Sequence, residues 1–347
     1  MDRAIRKSNM GFTENQKMNN VNENKTVYAG RLIDQTGVGL RMLLGEQLPG
    51  PDCLYACLTG RPFQYRVAEN PDGWFTPYLP FVNAIQHAID ALGIREHTYL
   101  KKIDNLTIIK DEYSNILEKF LMYGPVLIGP FKGKVFENEF IHAFRDEPTH
   151  CLLCVSSVNS EYLLLHPDGQ LLVMSIEQIL NLHKHSDTAS SLVLAVNTLN
   201  IKSAPQIAPS LALLSGAEIV SDTTDTFGPA AFLKVLIEKN VNKEINIISE
   251  IKFKLGISEI SISIHMINEL VMLFEQSRNS NDPVKYKIRS LVSALTDLQE
   301  KSVALLSLPT DKLCNHDNWL SEFSKSWERY ERTLINLLPH NRENMII

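Results

Sequence analysis

The chain has 347 residues, 44% of them hydrophobic and 21% charged, with a formal net charge of −6. A single core stops growing near roughly 250–300 residues, so the length predicts two domains. The mild acidity gives no electrostatic footprint for nucleic acid or an anionic membrane surface, and excludes neither enzyme nor scaffold.

Residues 1–26 are polar and rich in asparagine (Asn9, Asn15, Asn19, Asn20, Asn22, Asn24), which predicts a disordered lead-in. From 27 to 200 the pattern is mixed. Pro49-Gly50-Pro51 makes a turn, Asp52 is the candidate N-cap, and Cys53 opens an apolar helical run. Helical periodicity follows over 79–92 and 113–122. Short apolar runs bounded by Gly and Pro then occupy 125–128, 150–155, 162–165, 171–174 and 191–196, which predicts a largely antiparallel sheet. The stretch 201–228 is richer in Ser, Thr, Ala and Pro and reads as a linker. Beyond it, 229–347 reads as a helical bundle. Phe232, Val235 and Leu236 share one helical face, as do Ile264, Ile267, Leu270, Val271 and Phe274. Ile288, Leu291, Val292, Leu295 and Leu298 repeat the spacing, and so do Trp319, Phe323, Trp327, Tyr330 and Leu334.

Five cysteines without a disulfide-scaffold spacing fit a reducing compartment. Cys151 and Cys154 fall on opposite faces of a strand, which disfavours chelation by that pair. No apolar signal core opens the sequence and no apolar run approaches about 18 residues, so a cytoplasmic, membrane-free protein is expected. His183 and His185 make too small a cluster for a structural zinc site, and no phosphate loop or dinucleotide fingerprint is present; no cofactor is expected.

The segment around Cys53 carries the chemistry. A sulfur at a helix start is favoured as thiolate by the backbone dipoles, and an amide nearby can hold the oxyanion formed on attack at a carbonyl. Gln47, six positions earlier, is the candidate donor. The competing reading of Cys53 is a small buried core residue. Of the ten histidines, His150 stands apart because it opens an apolar strand and so lies at a sheet rim. The following strand ends in His166-Pro167-Asp168-Gly169. If the two strands pair as a hairpin, His166 or Asp168 comes back beside His150, where a third group could orient the ring. The same four residues also read as a simple turn.

In this order, Gln47, Cys53 at a helix start, the strand Gly124-Pro125-Val126 and His150 heading an apolar strand resemble the papain-like cysteine enzymes. The spacings are nearest to the bacterial C39-type peptidase branch, and the likeness covers about residues 40–200. It implies an α+β fold in which N-terminal helices pack on an antiparallel sheet, with an all-α domain appended. It further implies Cys53 as nucleophile, His150 as general base and Gln47 as oxyanion donor. The aspartate of the family's Asp-Pro falls on His166, with Asp168 two residues later. Either His166 or Asp168 orients the base, or the site is damaged.

The soluble helical tail resembles the layout of the butirosin-biosynthesis acyltransferases. That likeness implies a thiol acyltransferase, or an acyl-releasing cyclase, drawing its acyl group from an acyl carrier protein thioester in a specialised-metabolite pathway. The alternatives are a cysteine peptidase acting on a peptide substrate and an inactive scaffold. An acidic carrier would call for a basic rim, for which Arg61, Arg66, Lys132 and Lys134 are candidates; as loop charges they are equally ordinary solvated residues. Trp74 and Tyr78 either line a substrate cleft or pack on the core.

Overall fold

The computed structural model describes residues 35–45, 47–66, 76–77, 81–104, 107–131, 150–167, 169–185, 190–197, 204–221, 247–276, 284–308 and 317–337. Together they form a mixed α+β protein. Its contacts divide it into two units that interleave in sequence. Tyr99–Val196 belongs to one, while Ile33–Thr98 and Asn197–Ile347 form the other.

The first unit is built on a six-stranded sheet. In chain order its strands are β3 (Thr98–Asp104), β4 (Val126–Phe131), β5 (His150–Val158), β6 (Glu161–Leu165), β7 (Leu171–Ser175) and β8 (Ser190–Val196), arranged β3-β8-β4-β5-β6-β7. The pairings of β4 with β5 and β8, of β5 with β6 and of β6 with β7 are all antiparallel. Asn159 and Ser160, both at positive φ, close the β5–β6 hairpin with the twist that a two-residue turn needs. Helices α4 (Lys110–Leu121) and α5 (Ile176–His185) cover one face. There Val126, Ile128 and Phe131 meet Leu152, Cys154, Tyr162, Leu164, Val193 and Ala195, packed against Tyr113 and Leu117 of α4 and Ile176 and Ile179 of α5. Leu152 and Cys154 share this face while Cys151 and Leu153 do not, so the two cysteines do point apart, and all four are buried.

His183 sits inside this core. It lies on α5 and is completely buried. Its ring meets the Tyr113 hydroxyl through Nε2 at 2.6 Å and the Ser191 hydroxyl through Nδ1 at 3.0 Å. A neutral imidazole has one N–H and one lone pair, so one hydroxyl donates to the ring and the other accepts from it. Burial pushes the ring's pKa down to about 4.

The second unit is mostly helical: α1 (Gln35–Leu44), α2 (Asp52–Leu58), α3 (Phe81–Ala91), α6 (Ala204–Ser221), α7 (Ile247–Gln276), α8 (Val284–Ser307) and α9 (Asp317–Ile335), with a two-stranded ribbon of β1 (Tyr65–Arg66) and β2 (Thr76–Pro77). The core of this unit forms around α2. Cys53, Leu54, Tyr55, Ala56, Cys57 and Leu58 are each at most 2% exposed, so this short helix is apolar on every side and has to be enclosed. α1, α3, α6 and α7 all pack on it.

That enclosure corrects two expectations. α1, α2 and α3 group with the later helices in one unit, while the helix expected near 113–122 does pack on the sheet as α4. The segment 201–228 is not a plain linker: it carries α6, whose Ala208, Ala212, Leu213 and Ala217 are buried. The helical stripes expected further on do face inward. Ile264, Ile267, Leu270, Val271 and Phe274 are buried on α7, Ile288, Leu291, Leu295 and Leu298 on α8, and Phe323, Trp327, Tyr330 and Leu334 on α9. Phe232, Val235 and Leu236 lie outside the described residues, as do positions 1–26. Among the described residues no helix is long and apolar enough to cross a membrane.

One close approach shows how tightly α6 is held. A Cβ on Gly216 would lie 2.5 Å from the ring of Phe63, itself only 3% exposed. Gly216→Ala should therefore cost about 1–3 kcal/mol in overpacking, against about 0.5–1 kcal/mol gained in helix propensity. A lower urea midpoint is the expected result; an unchanged or raised one would refute the contact.

Candidate active site

Local chemistry explains how Cys53 is presented. Pro51, extended at φ −73 and ψ 165, is the N-cap of α2, without a side-chain capping bond. The expected capping role of Asp52 is thus corrected. Asp52 is the first helical residue, and its carboxylate pairs with Arg41 of α1, so it is not free to turn back on the backbone. The Tyr55 hydroxyl donates to the Leu48 carbonyl, tying the loop back to the helix it introduces. Gln47 is set by its own N–H, which donates to the Leu44 carbonyl at 3.0 Å. Its side-chain Oε1 is buried and has no hydrogen-bond partner among the described residues. An orphaned buried acceptor costs about 1–3 kcal/mol and is the kind of group that a ligand completes.

The sulfur itself departs from expectation. Cys53 is 2% exposed, and its pKa is pushed up to about 12. Burial is the largest cause. The next is the carboxylate of Glu269 on α7, which repels a thiolate and also takes the S–H hydrogen bond; Asp52 adds a smaller push. The helix dipole favours the anion, but a helix of two turns supplies less than burial and an adjacent carboxylate remove. The raised pKa favours the thiol over the expected thiolate.

Glu269 connects onward. Its Oε1 lies 3.2 Å from Nε2 of His265, one turn earlier on the same helix, and His265 is half exposed. The neighbouring Asn268 has a buried Oδ1 with no partner among the described residues. Reading the sequence by apolar stripe misses this group. The polar pair Asn268-Glu269, set directly between the buried Ile267 and Leu270, is the signal that could have found it.

The other expected residues lie elsewhere. His150 is the first residue of β5, where its backbone pairs with Phe131 beyond a register shift in β4. Pro130, which has no N–H to give the ladder, falls inside that shift. His166 follows β6 and is 5% exposed; its N–H donates to the Gln170 carbonyl at 2.8 Å, and Gly169, at φ +88, donates to the His166 carbonyl. The turn reading of that segment therefore holds. The ladder that sets Leu153 opposite Leu165 runs the end of β6 toward the start of β5, as the hairpin argument requires. Asp168, Trp74, Tyr78, Lys132 and Lys134 lie outside the described residues.

Gln47 and Cys53 thus belong to the helical unit with Glu269 and His265, while His150 and His166 belong to the sheet unit. Arg61, one of the expected rim cations, donates from Nη1 to the Thr36 hydroxyl at 2.8 Å and so ties α1 to the residues after α2. Among the described residues no group of three or more His, Cys, Asp or Glu side chains is placed to hold a metal ion. No protein-family model matches the chain, and no curated protein matches it in sequence.

Proposed function

We propose that this protein is an acyl-transfer enzyme with Cys53 as its nucleophile, taking an acyl group from a carrier-protein thioester and passing it to an amine or an internal carbanion. The observation that carries the reading is the place of Cys53 in the first turn of the enclosed helix α2, behind the Pro51 N-cap, with Gln47 in the loop just before it.

In this reading the sulfur gives up its proton to a base and attacks the thioester carbonyl, and the Gln47 amide N–H donates to the tetrahedral oxyanion. The intermediate then expels the carrier thiolate, which takes up that proton, and leaves the acyl group on Cys53 as a new thioester. The acceptor attacks next and restores the free thiol.

A second reading, an inactive scaffold, is favoured by the burial and raised pKa of Cys53. One experiment separates the two. The protein is mixed with an acylated carrier protein and examined by intact-mass spectrometry. Wild type should gain the mass of one acyl group, mapped to Cys53, and Cys53→Ala should lose transfer by about a thousandfold or more. Transfer that survives in Cys53→Ala removes the proposal. Cleavage of a peptide library by wild type but not Cys53→Ala would move the same nucleophile to a peptidase.

A further inference from the structure

We propose that β7 is a pairing edge through which two copies of this protein join, their β7 strands running antiparallel about a two-fold axis beside Leu172. The two six-stranded sheets then become one continuous sheet.

The backbone sets the possibilities. The His166 N–H donates to the Gln170 carbonyl, one step beyond the pair Leu165–Leu171 that ends the β6–β7 ladder. In an antiparallel pair, residues that exchange hydrogen bonds alternate with residues that do not. Leu172 and Met174 therefore bond to Leu164 and Tyr162 opposite them, while Leu171, Val173 and Ser175 turn their backbone groups away from β6. Ser175 is already engaged, its N–H donating to Oε1 of Gln178 at 2.7 Å as α5 begins. The outward N–H and C=O groups of Leu171 and Val173 end the sheet, with no partner strand among the described residues.

A two-fold axis fixes how these groups meet. Antiparallel partners point to the same face of a sheet, so the axis has to set one residue against its own copy. Centred on Leu172, it places each Leu171 opposite the partner's Val173. Four N–H groups then donate to four carbonyls, two from each copy. The side chains agree with this register. Leu172 and Met174 pack on the core beneath α4 and α5, so Leu171 and Val173 share the other face, where they are 40% and 59% exposed.

Charge selects a second copy as the occupant. β7 reads Leu-Leu-Val-Met-Ser, with no charge and no proline, and its pairing with β6 has no register shift. Edge strands usually carry one of these devices to repel another strand. The opposite edge does: β3 exposes Lys101, Lys102 and Asp104. A two-fold through the middle of β3 would set Lys101 against its own copy, which is destabilising, whereas on β7 no charge meets its like.

The test is sedimentation velocity of the full-length protein from about 1 to about 100 µM, the range suited to an interface at the small end of the scale. Wild type should pass from monomer to dimer. Val173→Lys puts a charge at an exposed position, so it should leave the circular dichroism unchanged and raise the dimer Kd about tenfold or more. Adding Leu171→Glu to Val173→Lys sets opposite charges across both Leu171–Val173 pairs and should recover most of that loss. A wild type that stays monomeric overturns the proposal and leaves the edge to a strand from another protein. A dimer that Val173→Lys does not weaken overturns it as well. Hydrogen exchange gives an independent reading: the Leu171 and Val173 amides should be protected in the dimer, and rapid exchange of both there would refute the pairing.

Discussion

Acidification from about pH 7 to about pH 4 is expected to remove about 3 kcal/mol of stability from the sheet unit through His183 alone. The ring is neutral in the core, bonded to Tyr113 and Ser191, and its folded pKa of about 4 lies below its ordinary value of 6.5. Below 6.5 the unfolded chain takes up a proton that the folded chain refuses. The contribution is therefore fully present above 6.5, falls through the interval, and is gone below about 4. At about 1.4 kcal/mol per pH unit, the gap gives the stated size. A charged ring would carry two N–H groups and force both hydroxyls to accept, in a place that water does not reach. Urea unfolding of wild type and His183→Gln at about pH 7, 5 and 4 isolates the effect from the carboxylates, which titrate in both. The variant should start less stable and lose less on acidification. Parallel losses in the two proteins would sink the account.

Gly60→Val is expected to cost about 2–5 kcal/mol and to disturb the helical unit at the end of α2. Gly60 has a φ of +73, a left-handed conformation that charges an L residue about 1–2 kcal/mol. Space is also missing. A Cβ there would collide with Cδ1 of Ile219 and lie 2.9 Å from Cδ2 and 3.0 Å from Nε2 of His87. That same Nε2 meets the Ser215 hydroxyl at 2.5 Å, so the branch would also disturb the contact between α3 and α6. Overpacking of this kind adds about 1–3 kcal/mol. Gly60→Asn separates the two parts, since asparagine tolerates the backbone angle but not the collision. The expected order of urea midpoints is glycine, then asparagine, then valine; equal midpoints for glycine and valine would refute it.

The sequence yields the architecture where one local rule governs and hides it where partners are distant. β4 to β8 were legible because each is a short apolar run between turn residues, even β7, which lies at the sheet edge and leaves Leu171 and Val173 exposed. β3 was not, since an edge strand with exposed Lys101 and Lys102 lacks that run. Gly37 and Gly39 conceal α1, whose buried Val38, Leu40 and Leu44 have no clean periodic frame. In α6 the small residues that read as a linker are what let helices approach closely, with Gly216 against Phe63.

The site divides in the same way. Cys53 and Gln47 stand out because a Pro-Gly-Pro turn and a helix start are local signals. The carboxylate that helps raise the sulfur's pKa is not local: after burial, the largest contribution is from Glu269, on a helix whose stripe otherwise reads as core. Local reasoning set the helix dipole, which favours a thiolate, against a buried core cysteine, and had no means of weighing a carboxylate from another helix.

The interleaving of the two units also orders events on the ribosome. The helical unit is assembled from stretches on either side of the sheet unit, and the Asn197 N–H, donating to the His97 carbonyl at 2.8 Å, joins the points where the chain leaves and returns. α2 is therefore synthesised long before α6 and α7, the helices that cover it. A nascent chain holding α2 and the sheet presents Leu54, Tyr55 and Cys53 without their final cover. Translation of α6 and α7 then supplies that cover and closes the helical unit.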